Sequence, residues 1–225
     1  MAIMLMTMVN DYGTDTAAAY GASLQLWTYV QMPAMALGAA VSAMVAQNIG
    51  AGRWDRVSRI TRTGILFNLM MTGGLVLILT LVERQALGLF LGTDSPALQI
   101  GVHIGRIATW GFILFGITMV LFGAVRANGQ VIWPLIILFI SLYPVRLGVA
   151  LGLQGWLGSD ALWLSFPAAM LATMVMAPLA GYLIERVHAG LLGALGLIVM
   201  ATGLFALALL PSSPSDLDII WRMAL

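Results

Sequence analysis

Apolar residues run in long blocks along the chain, separated by short stretches rich in charge, glycine or proline, and this alternation sets the expected architecture. The blocks at 17–46, 63–82, 101–125, 131–153, 162–184 and 190–210 are each long enough to cross a hydrocarbon layer of roughly 30 Å as an α-helix. Six full spans are expected. Shorter apolar pieces at 1–9 and 218–225 are read as parts of further helices whose remainder lies outside the chain. The 1–9 piece has no basic segment before it and no small-residue cleavage site after it, so it is not a signal peptide. The fold class is all-α, a polytopic transmembrane helix bundle with six full spans and a partial span at either end.

Composition removes the soluble alternatives. Hydrophobic residues make up 61% of the chain and charged residues 8%, and the mean hydropathy is +0.99. That leaves too little polar surface to clothe a folded core in water. There are no cysteines, which excludes disulfides, thiolate metal sites and redox motifs. There is also no lysine, so all ten positive charges are arginines. A net charge of +1, without interleaved basic and aromatic residues, gives no footprint for nucleic acid. No His-Glu-x-x-His motif, pair of mid-membrane aspartates or Ser and His pair is present to assemble a catalytic site. No enzyme, catalytic residue or metal site is expected.

Charge then orients the spans. Residues 47–62 turn abruptly basic, with Arg53, Arg56, Arg59 and Arg62 recurring every third residue around a single acid, Asp55. That spacing stacks the arginines along one side of a short helix. Arginine resists translocation, which makes 47–62 a cytoplasmic loop. Arg126 and Arg186 fall on the same side, while Asp11, Asp15, Glu83, Asp94, Asp160, Asp216 and Asp218 fall on the other.

Polar residues inside the apolar blocks mark protein or cavity rather than lipid. Ser23, Trp27, Gln31, Met35 and Ser42 share one face of the first complete helix, and helix packing and a solute surface both remain open for it. Pro33 is expected to bend this helix, and Gly38, Ser42 and Ala46 form a seam for close approach of a neighbour. Asn68 and Thr72 are polar handles one turn apart in the second span. Residues 83–99 read as a polar outer connection, followed by His103 and Arg106 at the outer end of the third span. Arg146 lies inside an apolar run, where an arginine costs about 2.5–3.5 kcal/mol on insertion scales; snorkelling to the outer interface is the preferred reading. Each acid maps to a loop or a helix end, so no carboxylate is expected at mid-membrane.

Three groups of residues carry a resemblance. They are Asp15 to Gly21; the end of the long helix from Ser42 through Gln47, Asn48, Ile49, Gly50, Ala51, Gly52 and Arg53; and Gly123 to Gly129 followed by Pro134. Together they resemble the multidrug and toxic compound extrusion (MATE) family of secondary transporters. Trp163, Leu164, Ser165, Phe166 and Pro167 look like the opening of the last helix of a half. By this match residues 1–177 are a second six-helix half that begins inside its first helix. The family implies a twelve-helix exporter that rocks two halves around a central cavity, exchanging cationic or amphipathic small molecules for Na⁺ or H⁺. It places the chain in a bilayer, the inner membrane of a bacterium, and implies a missing N-terminal half as partner. No cofactor is implied beyond the coupling ion.

Residues 178–225 are similar instead to the drug/proton antiporter branch of the major facilitator superfamily. Gly181, Leu183 and Arg186 match its Gly-x-Leu-x-Asp-Arg type loop, with Glu185 in place of the usual Asp. The chain thus reads as parts of two exporters joined near 176–178. Two functional readings follow: multidrug antiport, incomplete as the chain stands, and a non-transporting truncated or chimeric membrane polypeptide. For the first, Trp27, Gln31, Asn68 and Trp110 are the candidate substrate-binding residues. Aromatic faces attract organic cations by about 0.5–2 kcal/mol each, and amides orient them.

Overall fold

In hydrocarbon there is no water to pair with backbone N–H and C=O groups, so an apolar chain must satisfy them within itself, as helix. The structure, a computed structural model, describes residues 2–129 and 132–183. Helices α1 (Ala2–Asn10), α2 (Thr14–Gly50), α3 (Trp54–Leu91), α4 (Pro96–Ala108) and α5 (Gly111–Ala127) come first. They are followed by α6 (Ile132–Ile140), a π-helical turn (Ser141–Val145), α7 (Arg146–Gly152), the short α8 (Gln154–Leu157) and α9 (Asp160–Leu183). No strand occurs among the described residues.

The breaks have local causes. Gly52 and Gly92 adopt φ of 69° and 84°, values that favour glycine because it lacks a Cβ, and they end α2 and α3. Helix α4 restarts the chain with Ser95 as its cap, whose hydroxyl accepts from the Ala97 N–H at 3.3 Å, and with Pro96 in the first turn, where its missing donor costs nothing.

Among the described residues four helices are long and apolar enough to cross a membrane: α2, α3, the 134–152 stretch across the π turn, and α9. Helices α4 and α5, bent by 48° at their junction, form a fifth span if counted as one. The remaining expected span, 190–210, lies outside the described residues, as do Glu185, Arg186, Asp216, Asp218 and Trp221 to Leu225.

Three expectations are corrected. Helix α3 does not stop at 82 but continues to Leu91, which shrinks the outer connection to 92–95. The arginines from 53 to 62 sit on and before the first turns of this 38-residue helix rather than on a short helix of their own, and all four are exposed. Glu83, assigned above to a connection, is buried inside α3. Its carboxylate occupies the space where a side chain on Gly105 of α4 would begin.

Helix α2 lies against α3, α4 and α5, and small residues make this possible. A Cβ built on Gly38 would sit 2.9 Å from the Met119 carbonyl oxygen, and one on Gly123 would sit 2.5 Å from the Gly38 carbonyl oxygen. The backbones of α2 and α5 therefore meet directly, the packing that small residues allow in membranes. Val41, Val45 and Val120 fill the space beside this contact. Ala22, Leu26, Leu87 and Leu98 form a second apolar cluster between α2, α3 and α4, and Phe122, Ile137 and Ala177 a third between α5, α6 and α9. Helix α9 passes unbroken through the proposed join at 176–178.

Gly123→Val is expected to separate α2 from α5 and destabilise the bundle by about 1–3 kcal/mol or more, the usual cost of overpacking. Gly74→Ala, where nothing lies within 4 Å, should leave stability unchanged or slightly raised. Melting of the two variants in detergent, side by side, checks the contrast.

Candidate functional site

The largest buried side chains gather where α2, α5 and α9 meet. Tyr20 and Trp27, two turns apart on α2, face Phe112 of α5 and Trp163 and Phe166 of α9. Trp27 lies 5.4 Å from both Phe112 and Phe166, centroid to centroid, and Tyr20 lies 5.7 Å from Trp163 and 5.9 Å from Phe166. These separations match the tilted and edge-to-face arrangements that aromatic quadrupoles favour. The polar end of the cluster is satisfied from within: the Trp27 indole N–H donates to Thr109 Oγ1 at 3.0 Å. Thr109 occupies the bend between α4 and α5.

A charge completes the cluster. The Arg146 guanidinium carbon lies 3.5 Å from the Phe166 ring centroid, and the guanidinium charge acts on the Tyr20 hydroxyl nearby. Arg146 therefore does not snorkel to the outer interface as expected from sequence. The π turn that precedes it explains why. Pro144, inside that turn, has no N–H to give to the helical ladder, and the extra residue of a π turn rotates whatever follows by about 100°. Ser141 and Arg146, five residues apart, are thereby brought to the same side.

Of the four residues predicted from sequence, two are wholly internal. Trp27 is 1% exposed and Asn68 0%. The Asn68 amide Nδ2 donates to the Ala34 carbonyl at 3.2 Å, tying α3 to α2, and Thr72 donates to the Asn68 carbonyl at 2.6 Å. Gly116 of α5 is pressed against both, since a Cβ there would lie 2.5 Å from Asn68 Oδ1. Gln31, one turn beyond Trp27, is half-buried. Trp110 is 45% exposed and adjoins the Thr109 that holds Trp27. The four thus follow α2 from residue 27 to residue 34, with Trp27 and Trp110 linked through Thr109 and Asn68 engaged in helix packing.

Two clefts open at the end of the bundle that holds Glu83, His103 and Asp160. One, of about 390 Å³, is lined by Glu83, Arg84, Gln99, His103 and Arg106 among others. The other, also about 390 Å³, is bounded by Tyr12, Thr16, His103, Asp160 and Trp163. Between them His103 Nε2 meets Asp160 Oδ1 at 2.8 Å, joining α4 to α9. At the opposite end an apolar groove of about 330 Å³ runs between Leu37, Met44 and Phe67 beside Arg59. Among the described residues no group of three or more potential ligands could hold a metal ion.

Sequence reasoning missed the aromatic cluster and the burial of Glu83. A signal for the second was present: Asn68, Thr72, Val76, Glu83 and Leu87, all buried, recur at spacings of four and seven, the inward stripe of one continuous helix. The aromatic cluster had no such signal, because it is assembled from three helices far apart in the chain.

A bundle of long apolar helices, with α2 and α5 meeting backbone to backbone and one aromatic cluster and its arginine inside, defines a polytopic integral membrane protein. Within that class, the chain belongs to the MatE family, whose model matches residues 1–151. It is similar to the "probable multidrug resistance protein YoeA" of Bacillus subtilis, 36% identical over 176 residues, 77% of this chain and 38% of that protein. It is also similar to the "probable multidrug resistance protein NorM" of Thermotoga maritima, 27% identical over 71% of this chain and 36% of the relative. A further 55 residues' worth of similarity, at 80% identity, is to the "uncharacterized transporter YebQ" of Escherichia coli, covering 24% of this chain and 12% of that one. The chain therefore spans well under half the length of these relatives. No solved structure matches it.

Thr109→Val is expected to leave the buried Trp27 N–H without an acceptor and cost about 1–3 kcal/mol. Thr109→Ser, which keeps the hydroxyl, should recover most of that. Unfolding followed by tryptophan fluorescence in mixed detergent micelles distinguishes the two.

Proposed function

We propose that the chain forms half of a multidrug efflux transporter that exchanges amphipathic or cationic small molecules for Na⁺ or H⁺. Membership of the MatE family carries this reading, supported by relatives that are themselves described as multidrug resistance proteins. Transport rather than catalysis is the activity. The other half of the cavity wall comes from a first half that is not in these 225 residues. The protein resides in a bacterial inner membrane, with residues 47–62 on the cytoplasmic side, as the positive-inside rule requires.

On this reading Trp110 and Gln31 offer the accessible part of the substrate surface, Trp27 supports it from behind through Thr109, and Asn68 fixes the distance between α2 and α3. Joined to a first half in one chain, the protein should lower ethidium accumulation in cells lacking their own exporters. Trp110→Ala together with Gln31→Ala should weaken that export several-fold at unchanged expression. Export unaltered by the double substitution would remove the assignment.

Sidedness has its own test. The chain has no cysteine, so a single Arg56→Cys should react only with reagent admitted to the cytoplasm, and a single Asp94→Cys with impermeant reagent added outside. The reverse labelling pattern would invert the topology.

A second reading, a hybrid of two transporters joined near 176–178, is favoured by one observation. The similarity to YoeA takes in 77% of the chain and that to YebQ 24%. A continuous sequencing read across the source locus is its test, and a read in which the join disappears would end it.

A further inference from the structure

We propose that Arg146 is a binding site for a carboxylate borne by an aromatic or amphipathic solute. The site is the in-plane edge of its guanidinium among Tyr20, Trp163 and Phe166.

The argument begins with what the guanidinium lacks. It carries five N–H donors in a planar fork and no acceptor. Phe166 covers one face of that plane and the Tyr20 hydroxyl lies nearby. Neither satisfies Nε and Nη2, which are buried and make no hydrogen bond. No Asp or Glu among the described residues pairs with this arginine; their one ion pair joins His103 to Asp160. Unmet donors on a buried cation are expensive, and inside a membrane such a residue marks a functional position.

The identity of the unmet atoms selects the ligand. Nε and Nη2 are the two nitrogens of the guanidinium's side-on edge, whose parallel N–H bonds match the two oxygens of a carboxylate. A cation is excluded by charge, and a neutral carbonyl must share one oxygen between the two nitrogens and brings no charge, whereas a carboxylate gives each nitrogen its own charged oxygen. Ser141 Oγ, at the start of the π turn that ends just before Arg146, is also buried and without a partner. The aromatic rings supply the rest of the recognition. Trp163 and Phe166 each lie within ring-contact distance of Tyr20, and the three present an apolar wall suited to the flat or greasy body of such a solute.

Access is at hand. Trp163 and Thr16 line the outer cleft of about 390 Å³, and Tyr20 and Phe166 follow them by one helical turn on α2 and α9. The cleft thus lies one helical turn from Tyr20 and from the Phe166 ring that Arg146 faces. The proposal rests on the transport reading for why a solute reaches the cleft, and its test reads binding alone.

The whole chain is reconstituted in phosphatidylcholine nanodiscs and equilibrium dialysis is run with radiolabelled 2-naphthoate, its neutral carboxamide and the naphthylmethylammonium cation. The carboxylate is expected to bind at least about tenfold more tightly than the carboxamide, the discrimination a bidentate pair provides, and the cation not to compete. Arg146→Gln should abolish the preference, and Arg146→Lys, which keeps the charge but loses the paired edge, should retain only part of it. Equal affinity for carboxylate and carboxamide in the unaltered chain overturns the proposal whether or not the variants fold. So does a preference that survives in Arg146→Gln. No naphthoate binding, together with Arg146-dependent retention of phosphatidylglycerol in mixed-lipid discs, would assign the edge to a lipid phosphate and also overturn it. Loss of ethidium export with the carboxylate preference intact would end the transport reading and leave this site standing.

Discussion

At Gly38 and Gly123 the backbones of α2 and α5 touch, and the positions of the other helices depend on that contact. Helices in a membrane gain little from hiding apolar side chains, because the lipid is as apolar as they are; they associate through close packing and internal hydrogen bonds. Two glycines opposed across α2 and α5 allow the closest approach available to two helices. Once that distance is fixed, Gly64 of α3 meets Val41 and Val120, and Gly116 of α5 meets Asn68 and Thr72. Helix α3 is thereby seated against both. A larger residue at either central glycine would widen the spacing on which these secondary contacts rely.

The polar groups inside the bundle reinforce the same joints. Asn68 spends its amide on the Ala34 carbonyl, Trp27 spends its indole N–H on Thr109, and Ser23, Thr118, Ser165 and Thr173 each bond to a carbonyl of their own helix. A hydroxyl that bonds within its own helix can lie against a neighbour at no further cost. Helix-to-helix bonds are therefore few and local. Two of them, from α3 to α2 and from α2 to the α4–α5 bend, grip α2 on either side of Pro33, and a third joins α4 to α9 through His103 and Asp160. Glu83 has a different origin. It is buried because α3 continues past the apolar block, carrying the same inward stripe into a layer where Arg106 and the outer cleft can accommodate a carboxylate.

Much of this was legible in the sequence. Long apolar blocks can only be helices, so the fold class, the arginine-rich turn and the seam at Gly38 followed from residue type and spacing. Asn68 and Thr72 were recognisable as polar and paired. What could not be seen was the end of each helix. Hydropathy falls at Glu83, but the hydrogen-bonded ladder does not, and it runs on until Gly92 takes a positive φ. The aromatic cluster was hidden for another reason: Tyr20, Phe112 and Trp163 lie up to 143 residues apart, and only the packing of α2, α5 and α9 brings them together. The orientation of Arg146 depended on a one-residue change in helical register at Pro144, which no periodicity of apolar residues reports.

Arg146 also shows how one charge type serves two purposes in this chain. The arginines at 53, 56, 59 and 62 are exposed and enter no ion pair among the described residues. Arg146 has given up most of its water for a phenyl face and a phenol. These compensate a guanidinium better than they would an ammonium, because the planar cation stacks and is more weakly hydrated. Stacking, however, uses the face of the ion and leaves its edge. A guanidinium held against one ring is therefore oriented without being neutralised. The bundle fixes the direction in which Nε and Nη2 point before any anion arrives, and that pre-payment of orientation separates a binding group from a structural ion pair.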